Sequence, residues 1–125
     1  MQPITFFKRL SYGLITGVLL MASSAIYAEQ QWCSGVITHV WVAKGGETYI
    51  IGSWRGAHTQ ICNLSSEWKG VPPNTCKNWL GLAQQAHATQ KPVTLHYSDM
   101  SSCADIPRYG DAPSPSYVML RIERL

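Results

Sequence analysis

Charge is scarce in this chain. Only 14% of its 125 residues are Asp, Glu, Lys or Arg, against 46% hydrophobic. That balance is too apolar for a disordered chain, and no Gly-X-Y period or heptad run marks a fibrous one. Acidic residues are absent from the first 28 positions, which hold Lys8 and Arg9. Residues 29–125 then carry eight Lys/Arg against seven Asp/Glu, a net charge of +1. Such a domain lacks the electrostatic footprint of a nucleic-acid binder, so no nucleic-acid partner is expected. Phenylalanine is missing beyond Phe7, and every later aromatic residue is Trp or Tyr. Rings with a polar handle suit half-exposed surfaces and ligand contacts as well as cores.

The familiar catalytic signatures are also missing. There is no G-x-S-x-G, H-E-x-x-H, Walker loop or G-x-G-x-x-G. The carboxylates are scattered, and His39, His58, His87 and His96 read best as surface or hydrogen-bonded structural residues. No C-x₂-C pair occurs, and the histidines do not stand at ligand spacing around the cysteines. Neither a metal nor a cofactor is expected, and the chain reads as a non-enzyme.

What is present begins with an export signal. Lys8 and Arg9 precede an apolar stretch that runs from Leu14, through small residues, to Tyr27, and Ser23, Ser24, Ala25 and Ala28 suit a signal peptidase. The stretch is shorter than the ~20 residues that span a bilayer. Cleavage is expected after Ala28, with Ala25 as the alternative end point. No Cys stands there to carry a lipid. Residues 1–28 are thus read as a cleaved signal peptide and 29–125 as a single domain, periplasmic or secreted, with no membrane span after cleavage.

Cys33, Cys62, Cys76 and Cys103 all fall in that domain. An even count in a small exported chain implies two disulfides, with three connectivities open. Alternation predicts strands over Ser34–Val42, Thr48–Trp54 and His58–Leu64, the first two joined by a Lys44-Gly45-Gly46-Glu47 turn. Pro72 and Pro73 introduce a helix running to Gln90, with Cys76, Trp79, Leu80, Ala83 and Ala86 at helical spacing. Lys91-Pro92 ends it. Val93–Tyr97 and Tyr117–Leu125 alternate again as strands, separated by a long Pro-containing loop.

The order β-β-β-α-β-β is that of the OB-fold, a five-stranded, partly open Greek-key barrel. An unclosed α+β sheet is the structural rival. In an OB-fold the first strand pairs antiparallel with the fourth, which brings Cys33 to Cys103. Cys62, near the end of the third strand, then staples to Cys76 in the first turn of the helix.

The segment Trp79-Leu80 through Ala83, Ala86 and Thr89-Gln90-Lys91-Pro92-Val93-Thr94-Leu95-His96-Tyr97 resembles the helix-to-strand segment of AB5 toxin B subunits of the subtilase-cytotoxin and typhoid-toxin type. Over most of its length the domain looks more like a group of small exported bacterial proteins that brings no established activity. That likeness rests on Gly52-Ser53-Trp54-Arg55-Gly56, Gln60-Ile61-Cys62-Asn63, Glu67-Trp68-Lys69-Gly70 and Ala112-Pro113-Ser114-Pro115. The toxin resemblance implies a binding module for an extracellular glycan or protein, and a homo-oligomer. A periplasmic structural or interaction protein without a small ligand is the alternative, and a small secreted hydrolase a further one.

Trp54 and Trp68 stand in turns flanked by glycine, each beside a cation. With Arg55 they are expected to line a shallow ligand site, to which Tyr109 and Asp111 add from the long loop. The other reading has Trp54 and Trp68 packed on each other or under that loop. N-terminal sequencing of exported protein should begin at Glu29; full-length chain recovered from membranes would refute the signal.

Overall fold

The computed structural model describes residues 29–121. The expected signal peptide, residues 1–28, lies outside the described residues, as do positions 122–125 of the expected last strand. Six strands and one helix are formed: β1 (Gln31–Gly35), β2 (Ile37–Val42), β3 (Glu47–Gly52), β4 (Thr59–Asn63), α1 (Pro73–Thr89), β5 (Val93–Tyr97) and β6 (Tyr117–Leu120). They make two antiparallel three-stranded sheets, ordered β1-β5-β6 and β2-β3-β4. Among the described residues the strands form two separate sheets rather than a closed barrel, and six strands rather than the expected five.

The expected first strand is in fact two. Ser34–Val42 alternates along its length, but the ladder breaks at Val36, so β1 belongs to one sheet and β2 to the other. A bulge between Ile37 and His39 then shifts the alternation. Ile37 is buried, Val40 half-buried, and His39 and Trp41 face outward. A bulge adds one residue to one strand and so moves later side chains to the other face.

The glycine turn forms where expected. Gly46 takes φ 94°, a value that an L side chain adopts only with strain, and its N–H donates to Ala43 O at 2.9 Å. Helix α1 starts at Pro73, whose missing N–H costs nothing in the first turn. It ends where Gln90 turns left-handed at φ 55°. Cys76, Trp79, Ala83 and Ala86 form its buried stripe. The small side chains in that stripe let the helix lie close over both sheets, with Ile37, Ile50, Ile61 and Leu95 fully buried beneath.

Both expected disulfides are present. Residues Gln31–Gly35 pair antiparallel with Val93–Tyr97, which sets Cys33 beside the chain leaving β5, and Cys33 bonds Cys103. Cys103 opens a short 3-10 turn within the long loop. Cys62 at the end of β4 bonds Cys76 across 14 residues. Loop-closure entropy assigns about 3 kcal/mol to a 14-residue loop and about 4.4 to a 70-residue one. Replacing Cys33 and Cys103 together by Ala should therefore lower unfolding free energy more than replacing Cys62 and Cys76, as read by urea titration. Equal or reversed losses would show that buried packing, not loop closure, sets the cost.

Candidate functional site

Of the five residues expected to bind ligand, Trp54, Arg55 and Trp68 are half-buried, and Tyr109 and Asp111 are exposed. Trp54 is half-buried against the core, close to the break in the first strand. Its ring lies over Gly52 and near Gly35, so a Cβ at Gly52 would collide with it. Arg55 reaches inward: its Nη1 donates to Ile106 O and its Nη2 to Thr59 Oγ1. Trp68 is half-buried at a tight turn in which Lys69 (φ 45°) and Gly70 (φ 86°) are both left-handed. Lys69 Nζ lies 4.8 Å from the Trp68 ring and donates to Gly110 O at 2.9 Å and Ala112 O at 2.6 Å. Asp111 is exposed beside those carbonyls. Among the described residues no ring contact joins Trp54 to Trp68.

Arg55 and Lys69 therefore each fasten the long loop to the sheet β2-β3-β4. Burial lowers the Arg55 pKa, and burial raises that of the Tyr97 phenol well above its usual range, with Arg55 opposing the rise. Arg55 Nε and Tyr97 Oη are buried without hydrogen-bond partners among the described residues. A phenol whose pKa is raised by folding leaves stability intact below its unfolded value and withdraws it as pH rises further. Unfolding free energy should accordingly fall above about pH 10, and Tyr97→Phe should flatten that fall while costing little at pH 7. A steep alkaline fall unchanged in Tyr97→Phe would assign it to another group.

Tyr109 joins a different group of rings. Its backbone is held between β4 and the chain before it: Tyr109 N donates to His58 O at 2.8 Å, and Gln60 N to Tyr109 O at 3.2 Å. The Tyr109 ring stacks on His58 at 5.4 Å and meets Tyr49 edge-on at 5.9 Å. Trp41, paired with Tyr49 across β2 and β3, stacks on it at 4.2 Å and 17°. Trp41 Nε1 closes the network by donating to His58 Nδ1 at 3.1 Å. Burial, Glu47 and Tyr109, in that order, raise the Tyr49 pKa, so its hydroxyl stays protonated.

Beside these rings lies an open groove of about 530 Å³ between β2 and α1. Thr38, His39, Val40, Trp41, His58 and His87 line it. Trp41 is 36% exposed and Tyr109 49%. Ring faces can take the apolar side of a ligand here, and the imidazoles offer donors and acceptors. Among the described residues no group of three His, Cys, Asp or Glu is arranged to hold a metal ion.

Sequence reasoning read the three groove histidines as surface or hydrogen-bonded structural residues, and passed over Trp41. One signal was available. Counting back from the Gly45-Gly46 turn places Trp41 opposite Tyr49 and His39 opposite Ile51, as observed. Nothing local announces that His58 and His87 meet them.

A second aromatic row crosses the other sheet. Trp32, His96 and Tyr117 stand in register on β1, β5 and β6. Trp32 Nε1 donates to Tyr117 Oη at 2.8 Å, and His96 stacks on Tyr117 at 5.1 Å and 7°.

Comparison of the chain with protein-family models, with curated proteins and with solved structures finds no match. No helix among the described residues is long and apolar enough to cross a membrane.

Proposed function

We propose that the chain is an exported glycan-binding module of OB type, and that the site is the aromatic face of Trp41, Tyr49, His58 and Tyr109 with its adjoining groove. The observation that carries this reading is the ring network itself: two exposed aromatic residues, from β2 and from the long loop, joined through His58 beside an open groove. Pyranose rings present an apolar face of C–H groups that stacks on Trp and Tyr, while their hydroxyls seek hydrogen bonds at the rim. The groove volume falls in the range usual for small-ligand sites, about 300–1,000 Å³. Tyr109 is held by backbone bonds on both sides, so little ordering entropy is lost when a ligand stacks on it.

The antiparallel pairing of β1 with β5, and the helix following β4, support the OB reading of the topology. Two disulfides support export to an oxidising compartment. In this reading Trp54, Arg55 and Lys69 are the frame that holds the long loop, and through it Tyr109. A second reading, docking of a protein partner without a small ligand, is favoured by one observation. Trp32 (56% exposed), Tyr117 (39%) and Met119 (46%) lie on the other sheet, a patch of the kind that marks protein contacts.

A glycan array followed by calorimetry tests the proposal. Trp41→Ala and Tyr109→Ala should each weaken the bound glycan about tenfold or more, equivalent to about 1.4 kcal/mol, while the chain stays folded. Trp54→Ala should instead lower the melting temperature by several degrees. A parent chain that binds no glycan, or Trp41→Ala binding as the parent does, would overturn the site.

A further inference from the structure

Each imidazole in the groove has one ring nitrogen already committed. Trp41 Nε1 is an indole N–H, which can only donate, and it meets His58 Nδ1 at 3.1 Å. His58 Nδ1 therefore accepts, and the proton of the neutral ring sits on Nε2. His87 Nε2 meets the carbonyl oxygen of Thr38 at 3.1 Å, and a carbonyl only accepts. His87 thus also carries its proton on Nε2, and its Nδ1 is left as a bare lone pair. The two rings share a tautomer but present opposite chemistry, a donor from His58 and an acceptor from His87. His39 Nδ1 meets the Thr38 hydroxyl at 3.0 Å, a partner that can play either role, so His39 is adaptable. The groove lining carries no carboxylate, ammonium or guanidinium group.

We infer that this groove reads an uncharged, hydroxyl-rich ring, a neutral rather than an acidic sugar, through a fixed donor at His58 Nε2 and a fixed acceptor at His87 Nδ1. The inference rests on the glycan reading above and names the chemistry of its ligand. A sugar hydroxyl both donates and accepts, so hydroxyls on one ring satisfy both histidines. A carboxylate only accepts; it suits His58 but sets its charge against the His87 lone pair. Neither histidine has a charged neighbour in the groove to reverse that preference.

The arrangement also fixes the sign of the pH response. Protonation of His58 places an N–H at Nδ1 against the Trp41 N–H, donor to donor, and breaks the bond that positions both rings. Protonation of His87 removes its acceptor. Facing or flanking these two rings are His39 on β2, Tyr49 on β3 with Glu47 beyond it, and Tyr109 on the long loop between Arg108 and Asp111. Lys91 lies one turn past His87. Protonation of either imidazole therefore weakens the binding of a neutral sugar. An acidic sugar would follow the opposite course.

Calorimetry with a panel of neutral oligosaccharides (glucose, galactose, mannose and N-acetylglucosamine series) and a galacturonate tetrasaccharide, at pH 8 and pH 5, tests this. The expected result is a neutral ligand whose Kd rises on the order of tenfold from pH 8 to pH 5, with galacturonate bound more weakly at pH 8. His87→Asn, whose amide oxygen can stand in for Nδ1 without titrating, should keep binding at pH 8 and show a smaller pH effect; His87→Ala should lose affinity at both. Preference for galacturonate, or binding that tightens on acidification, would overturn the inference and leave the glycan reading standing. Tight zinc binding that is lost in His87→Ala would overturn it in favour of a metal site. A parent chain that binds no member of the panel would overturn both readings.

Discussion

The molecule depends on how its first strand leaves one sheet and enters the other. At Val36 the ladder of β1 has ended and that of β2 has not begun, so one residue's backbone groups have no strand partner. Ser53 supplies both partners: its N–H donates to Val36 O at 2.9 Å, and its hydroxyl accepts from Val36 N at 3.0 Å. Buried or half-buried backbone groups left unpaired are costly, so this single serine makes the crossing tolerable. The rings and glycines around it follow. Trp54 fills the space at the crossing, and Gly52 is bare because that ring occupies the place of a side chain. Gly56, at φ 76°, then turns the chain toward β4.

From that corner the rest of the frame is fastened outward. Arg55 holds Ile106, Lys69 holds Gly110 and Ala112, and Ser114 Oγ donates to Lys69 O at 2.8 Å. The Cys33–Cys103 bridge anchors the start of the same loop. A loop of this length would ordinarily be mobile, since it has little secondary structure of its own. Here cations bound to carbonyls at several points replace the missing ladder. Tyr109, midway along, inherits a fixed position at the cost of a left-handed backbone at φ 51°. Strain of that kind persists only where the surroundings impose it.

The sequence made much of the frame legible because the frame obeys local rules. Alternation placed β3, β4, β5 and β6, paired glycines placed the β2–β3 turn, and a 3.6 period placed α1. Both disulfides followed from which strand ends must adjoin. Sheet closure and the break at Val36 were not legible. Alternation continues through Ser34–Val42, and only the tertiary partner, Ser53, shows that one residue belongs to neither sheet. The groove was not legible for a related reason. A Trp beside an Arg reads as a ligand contact from sequence, yet Arg55 is drawn inward by a loop carbonyl some fifty residues on. Trp41 and His39 lie on a strand whose outward face was set by a bulge that no residue type announces.

The distribution of polar partners separates the two faces more firmly than exposure does. On the sheet β1-β5-β6, Trp32 spends its N–H on Tyr117, and His96 Nε2 pairs with Gln30 Oε1 at 2.9 Å. Among the described residues His96 Nδ1 is buried without a partner, which leaves the O–H of Tyr117 as the polar group this row can still turn outward. Apart from that hydroxyl, what this face offers outward is ring and thioether surface. On the sheet β2-β3-β4 the same residue types are arranged the other way. Trp41 spends its N–H on a histidine that is only half-buried, and His39 and His87 are exposed. Hydrogen-bonding capacity therefore survives at the groove, next to ring faces held in place by their neighbours. A face that keeps both is equipped to bind something polar with an apolar side, which is why the ligand reading belongs to this sheet and the protein-docking reading to the other.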